Sequence, residues 1–223
     1  MTDQRRIRAV VFDFDGVILE SADVKTDAFC ELYVDHGAEV VGRVREHHLA
    51  NLGISRFKKF AWIAEHVLGR ALSDDESAAL GHRFSDLAFA KVLAAPFVPG
   101  AEAALGALGG TGGLGLPLFV ASGTPHDELQ RIVAHRGLGP AFREVHGTPR
   151  EKPEILGDVL ARLALAPGEL LFIGDGMSDY KAARATGVEF LARDTPALHD
   201  EWVKLAVRRE PDLVRLPQVV AAW

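Results

Sequence analysis

"VVFDFDGVILES", residues 10–21, joins an apolar run of the kind that makes a buried strand to two aspartates, Asp13 and Asp15. Phe14 stands between them and Gly16 follows at once. Burying a charge without a partner costs far more than strand propensity returns, so the pair requires a purpose. Residues two apart on a strand point the same way, which starts Asp13 and Asp15 on one side of the strand's carboxyl end, where ligands of open α/β sheets bind. Gly16 lets the backbone turn there and come close to a ligand. Capping of a following helix explains one such carboxylate well and two poorly.

A third acidic position lies far along the chain. "LLFIGDGMSD" (170–179) puts Asp175 at the end of another apolar run, with Asp179 four residues on. Taken alone, G-D-x-x-x-D reads equally well as a helix N-cap and first-turn acid. Together with Asp13 and Asp15, carboxylates delivered by two strand ends make a hard-oxygen site suited to magnesium. Between them lies "FVASGTP" (119–125), where Ser122 ends a strand and Gly123 and Thr124 follow. A hydroxyl beside exposed backbone N–H groups suits a phosphate. It does not suit a serine hydrolase, because Val120 stands where a nucleophile elbow needs glycine. Lys152, in "PREKPE", precedes a helix that opens at Pro153; on its own it is an ordinary solvated lysine.

The second half of the chain alternates strand-like runs with amphipathic helices. "PLFVAS" (117–122), "ELLFIGD" (169–175) and "VEFLAR" (188–193) read as strands. "PHDELQRIVAHRG", "PEILGDVLARLAL" and "MSDYKAARATG" read as the helices between and after them. Such alternation predicts a parallel sheet covered on both faces, a Rossmann-like α/β core. Residues from about 20 to 96 contain no clear strand. "SRFKKFAWIAEHVLG" has helical spacing, and "SDDESAALGHRFSDLAFAKV" opens on Ser73 and Glu76 in capping-box positions. An all-helical unit (20–96) is therefore expected as an insertion in a discontinuous core (1–19 and 97–223), with hinges near 18–22 and 94–99. "GTGGLG" (110–115) satisfies G-x-G-x-x-G only formally: it follows a helix and precedes a strand, the reverse of a dinucleotide fingerprint, and reads as a flexible loop.

The bulk numbers narrow the function. The chain has 223 residues, 48% hydrophobic and 25% charged, with a formal net charge of −6. That balance argues against nucleic-acid binding by bulk charge. A single cysteine, Cys30, excludes an intrachain disulfide and reads as a small core residue. "MTDQRRIRAVVFDFDG" holds no apolar stretch long enough for a signal peptide, and nothing reaches the length of a membrane span. A soluble, cytoplasmic protein with no membrane or nucleic-acid partner is expected.

The set "DFDGV", "VASG", "EKP" and "GDGMSD", in that order and with a helical insertion right after the first, resembles the four motifs of the haloacid dehalogenase superfamily over nearly the whole chain. It is most similar to the phosphoglycolate phosphatase and β-phosphoglucomutase branch. The first and fourth motifs are specific; the second and third persuade only in sequence. The resemblance implies a magnesium-dependent phosphatase acting on a small phosphorylated metabolite such as a sugar phosphate. By motif position, Asp13 is the nucleophile and Asp15 the general acid and base. Magnesium takes the Asp13 carboxylate, the Asp15 backbone carbonyl and Asp175, with Asp179 completing or supporting the site. Ser122, with Gly123 and Thr124, and Lys152 hold the phosphoryl oxygens. An aspartate at position 15 also sets the chain apart from the dehalogenases and phosphonatases, which lack it.

The helical insertion then becomes a cap, and its cations become candidates for specificity. Lys25, in "ESADVKTDAF", stands where the β-phosphoglucomutase branch commonly has a histidine, which counts against mutase activity. Arg56, in "GISRFKKF", is the second candidate; Lys58 and Lys59 read equally well as the wet face of a helix, and His47 and His48 as surface or cap residues without a metal pattern. A phosphomutase is the alternative. A non-enzymatic phospho-receiver is remote, since receivers are shorter, lack a cap and do not carry their phosphorylated aspartate after the first strand.

Overall fold

A computed structural model describes residues 7–223. Residues 1–6, part of the segment read for a signal peptide and of the expected core, lie outside that description. Among the described residues, six strands form one sheet: β1 (Ala9–Phe12), β2 (Leu118–Pro125), β3 (Glu144–Thr148), β4 (Leu170–Gly174), β5 (Glu189–Arg193) and β6 (Arg209–Glu210). The spatial order is β3-β2-β1-β4-β5-β6 and every pair is parallel. β1 and β4 are buried at every residue, as central strands covered on both faces must be.

Strand alternation divides the core into two layers. Val10, Phe12, Leu118, Val120, Leu171 and Ile173 face one side, where they pack with residues of α5 (Ala101–Gly109), α6 (His126–His135) and the C-terminal α10 (Leu216–Ala221). Ala9, Val11, Phe119, Ala121, Leu170 and Phe172 face the other, against α7 (Lys152–Leu163), α8 (Met177–Thr186) and Trp202 of α9 (His199–Lys204).

Four helices, α1 (Ala22–Leu32), α2 (Ala38–Ala50), α3 (Arg56–His66) and α4 (Asp74–Ala94), are inserted between β1 and β2. Phe29, Phe60 and Phe84, from α1, α3 and α4, meet at tilted to edge-on angles with ring centroids 4.7–6.4 Å apart. Each fully buried ring of this kind contributes about 1.5–3 kcal/mol over exposure. The expected capping box starts α4: the Glu76 N–H donates to Ser73 Oγ at 3.2 Å and the Ser73 N–H to Glu76 Oε2 at 3.0 Å. The chain leaves and re-enters the core side by side. Leu19 bridges Phe97, the Glu20 N–H donates to the Pro96 carbonyl at 2.9 Å, and the Val98 N–H to the Ile18 carbonyl at 3.0 Å.

The strand order places the site. From β1 the chain adds β2 and β3 outward in one direction, then returns to add β4, β5 and β6 in the other. The reversal opens a crevice at the carboxyl ends of β1 and β4, the place where such sheets bind ligands. Asp13 follows β1 and Asp175 follows β4 directly. No described helix is long and apolar enough to cross a membrane. Cys30 is only half-buried, not the core residue its composition suggested, because it lies off the face of α1 that carries Ala28, Phe29 and Leu32 inward.

Candidate active site

Three carboxylates meet at the crevice. Asp13, Asp175 and Asp179 each offer an oxygen within 4.8 Å of the others, and all are buried. Lys152, the first residue of α7, reaches into the cluster: its ammonium lies 3.0 Å from Asp13 Oδ2 and also donates to Asp179 Oδ1. The other Asp179 oxygen accepts the Gly176 N–H at 3.0 Å at the start of α8. Asp179 thus is the first-turn acid its spacing offered, and it also holds Lys152, which the spacing did not foretell. Asp175 has no hydrogen bond or ion pair among the described residues.

The electrostatics follow from this crowding. Burial, only partly offset by Lys152 and reinforced by Asp179 and Asp15, pushes the Asp13 carboxyl up to about 7. Burial, with Asp13 and Asp179 beside it, also pushes Asp175 well above the usual carboxylate range. Burial works to lower the Lys152 ammonium, but Asp13 and Asp179 outweigh it and hold its pKa above the ordinary lysine value. Three acids against one lysine leave the pocket short of positive charge. A buried, all-oxygen donor set short of positive charge suits a hard divalent cation: among the described residues Asp175 has both oxygens free to hold one, while Asp13 Oδ1 already accepts the Phe14 N–H at 2.7 Å and its Oδ2 meets Lys152.

Asp15 belongs to a different network. It accepts from Ser21 Oγ at 2.6 Å, from Thr124 Oγ1 at 2.8 Å and from the Lys25 ammonium, which also donates to Thr124 at 2.7 Å. Burial works to raise its pKa, but Lys25 first, then Ser21 and Thr124, hold it below the usual value. The two aspartates of the opening motif therefore sit in one cavity in opposite electrostatic states. Gly16 makes the fit possible: it adopts φ +76°, and a Cβ there would lie 2.0 Å from Asp175 Oδ2.

The helical insertion closes over this floor. Asp13, Asp15, Ser122, Gly123, Thr124 and Asp175 line a cavity of about 50 Å³ whose roof is Lys25, Phe29, His48, Arg56, Lys59 and Phe84. Ser122 is buried and its Oγ accepts the Thr124 N–H at 3.1 Å. Gly123 passes so close to the loop before α3 that a Cβ would lie 2.6 Å from the Gly53 carbonyl. Ser178 Oγ donates to the Leu52 carbonyl at 2.6 Å, and Lys58 meets Glu151 at 2.5 Å. Arg56 makes a bidentate pair with Glu128 of α6, at 2.8 and 2.9 Å, and shares its oxygen with Ser85.

Every candidate residue named from the sequence lies at this crevice, but two cap cations have protein partners there: Lys25 holds Asp15 and Arg56 holds Glu128. The residues the sequence reading passed over are Glu128, His48 and Lys59. Lys59 is not on a wet face; it is 3% exposed and donates to His48 Nδ1 at 3.1 Å. His48 is buried against Phe29, with ring centroids 4.7 Å apart. The spacing held a signal, since Arg56, Lys59, Phe60 and Ile63 fall at i, i+3, i+4 and i+7, the inward face of α3.

Comparison with known proteins places the chain in a family. A family model described as haloacid dehalogenase-like hydrolase matches residues 7–187. The chain belongs to that family. Among curated haloacid dehalogenase-like relatives, the phosphoglycolate phosphatase of Rhodospirillum rubrum is 26% identical over 189 residues, 81% of this chain and 77% of that one. Among solved structures, β-phosphoglucomutase from Clostridium difficile superposes with a TM-score of 0.76 at 17% identity, covering 97% of each chain. CbbY from Rhodobacter sphaeroides, solved in complex with phosphate, superposes at 0.73 and 17% identity, over 94% of this chain and 96% of that one. At such identities the structures show the shared fold: the parallel sheet with its helical insertion. The protein is an enzyme, a hydrolase of phosphatase type.

Proposed function

We propose that the protein is a magnesium-dependent phosphatase that hydrolyses a small phosphorylated metabolite through an aspartyl-phosphate on Asp13. The observation that carries this reading is the separation of the two aspartates. Asp13 lies among Lys152, Asp175 and Asp179, while Asp15 is tied to Lys25, Ser21 and Thr124, and both face one cavity.

Asp13 Oδ attacks phosphorus as the bond to the leaving oxygen breaks, and Asp15, ionised in the free site, takes the proton of the bound phosphate monoanion and delivers it to that oxygen. Asp15 then takes a proton from water, which attacks the phosphorus and returns Asp13 as a carboxylate with release of phosphate. Ser122 and Lys152 hold the phosphoryl oxygens, aided by the backbone at Gly123 and Thr124, and Lys152 offsets charge on Asp13. Asp13 and Asp175, with the Asp15 main-chain carbonyl, would hold a magnesium ion, and Asp179 would support them through Lys152. When bound, the cation supplies positive charge that screens the anionic nucleophile from an anionic substrate. We propose residues 20–96 as a cap that closes to exclude bulk water.

The environment of Asp15 favours hydrolysis over phosphoryl return to a sugar. A mutase must keep water from its phosphoenzyme until the sugar hydroxyl arrives, whereas Lys25 and two hydroxyls keep Asp15 ionised and ready to activate water. The test is phosphate release from a panel of phosphorylated acids and sugars, with magnesium and with a chelator, following isomers of β-glucose 1-phosphate in parallel. Magnesium-dependent release is expected, abolished in a folded Asp13→Asn variant. Residual turnover in that variant above a tenth of the parent, or isomerisation without net release, overturns the assignment.

A further inference from the structure

The donors that hold Asp15 come from two sides of the crevice. Thr124 belongs to β2, but Ser21 and Lys25 belong to the linker that leaves the core and to α1, which it enters. Ser21 is buried, and besides donating to Asp15 it accepts the Lys25 N–H on its carbonyl at 3.1 Å. The placement of residue 21 therefore decides where both donors stand.

Glu20, the residue before it, is gripped from the far side of the sheet. Arg193, the last residue of β5, forks onto the Glu20 carboxylate at 2.5 and 3.1 Å and donates its Nε–H to the Pro211 carbonyl at 3.2 Å. The two side chains are 13% and 33% exposed. A forked, charge-assisted pair fixes direction as well as distance. The linkers do not need it to stay together: Leu19 bridges Phe97, and main-chain bonds join Glu20 to Pro96 and Val98 to Ile18. Those contacts tie linker to linker. The fork ties the linker to β5, which pairs with β4, the strand that Asp175 follows.

We infer that Arg193 is a positioning residue for the reaction: through Glu20 it holds Ser21 and Lys25 on Asp15, and so keeps that carboxyl aimed at the leaving oxygen. Arg193 does not line the cavity, so it acts only through its neighbours. The lever is short and the tolerance small, since a displacement of about 1 Å at a reacting group can cost about 100-fold in rate. The inference rests on the phosphatase reading above and adds the element that sets the aim of its proton donor.

The experiment compares kcat/KM in magnesium for alkyl esters, glycerol 3-phosphate and 2-phosphoglycolate, with that for p-nitrophenyl phosphate. An alkoxide needs a proton as it leaves, whereas p-nitrophenolate is a weak enough base to leave without one, so the ratio isolates proton delivery. Asp15→Asn sets the full signature, a loss on the alkyl esters far larger than on the aryl ester. Arg193→Met is expected to lose about 10- to 100-fold on the alkyl esters and less than about threefold on the aryl ester. Glu20→Gln is expected to repeat that pattern, and Arg193→Lys, which keeps the charge without the fork, to recover part of it. Equal losses on both kinds of ester, or none, make the fork structural and overturn the inference alone; if Arg193→Met does not fold, Glu20→Gln decides by the same criterion. A parent that turns over only the aryl ester has no proton delivery to position and overturns it as well. No release from any ester, or an Asp15→Asn variant that loses both kinds equally, overturns the phosphatase reading with it.

Discussion

Gly16→Ala puts a methyl group where the structure has no room for one. A Cβ at residue 16 would lie 2.0 Å from Asp175 Oδ2 and 2.8 Å from its Cγ, at a backbone φ of +76°. Real Cβ contacts essentially stop at 3.0 Å, so the carboxylate must retreat from 2.0 to 3.0 Å or the turn must open. Neither is easy. A Cβ at Gly174 would lie 2.3 Å from that of Asp179, and one at Gly176 would lie 2.6 Å from the Leu52 carbonyl, so the chain on both sides of Asp175 is already packed. The left-handed backbone costs alanine about 1–2 kcal/mol, and forcing extra volume into a packed site about 1–3 kcal/mol. For a chain of this length the sum lowers Tm by at least about 5 °C. Because the atom displaced belongs to the proposed cation site, a magnesium titration of phosphate release is expected to shift about 10- to 100-fold toward higher concentration. Thermal unfolding and that titration together decide it. A variant with parental Tm and parental magnesium dependence would show that Gly16 and Asp175 are not in contact, and the geometry of the acidic cluster would be wrong.

Two further outcomes follow from the cap. Glu128→Gln removes the carboxylate that holds Arg56 across the cap–core contact, and breaking a buried pair of this kind costs about 3–5 kcal/mol; a lower Tm and a raised KM are expected, and no change in either would mean that water already screens the pair. Burial, with Lys25 beside it, brings the Lys59 ammonium down to about 7, with Lys152 lowering it further and Asp175 and Asp15 opposing, while neutral His48 does not titrate in this range. Unfolded lysine binds its proton up to about 10.4, so between pH 7 and that value the unfolded chain holds more protons at this position and stability rises with pH. The gain in Tm of ligand-free Lys59→Met over the parent should therefore be full below pH 7 and shrink toward pH 10; a gain independent of pH would show that the ammonium is not desolvated.

The core was legible because its strands are buried on both faces. β1, β2, β4 and β5 announce themselves as unbroken apolar runs, and the acids that end two of them have no reason to be there as structure. β3 escaped notice because "EVHGT" is a short sheet-edge strand that alternates buried and half-buried residues, and β6 has only two residues. In the site, Asp13, Asp15, Asp175, Asp179, Ser122 and Lys152 lie in local motifs, so their spacing carried them. Glu128 had no such signal: it reaches Arg56 across 72 residues, and only the closed cap brings them together. Lys25 and Arg56 were found as cations, but a sequence cannot say which cation is already neutralised.

That distinction decides what a cap can recognise. Lys25 is bonded to Asp15, the proposed general base, and Arg56 is clasped by Glu128 of the core, so both charges are already met within the protein. The argument that made Asp13 and Asp15 informative applies again to the roof. A buried charge that the protein does not compensate points to something the protein binds, and the cavity holds such charges at both ends: acids on the floor, short of positive charge, and Lys59 above, short of negative. On the floor, the proposed magnesium ion relieves the shortage that Lys152 alone leaves among Asp13, Asp175 and Asp179. Closure of the proposed cap over a bound phosphate ester then couples substrate binding to exclusion of water at phosphorus.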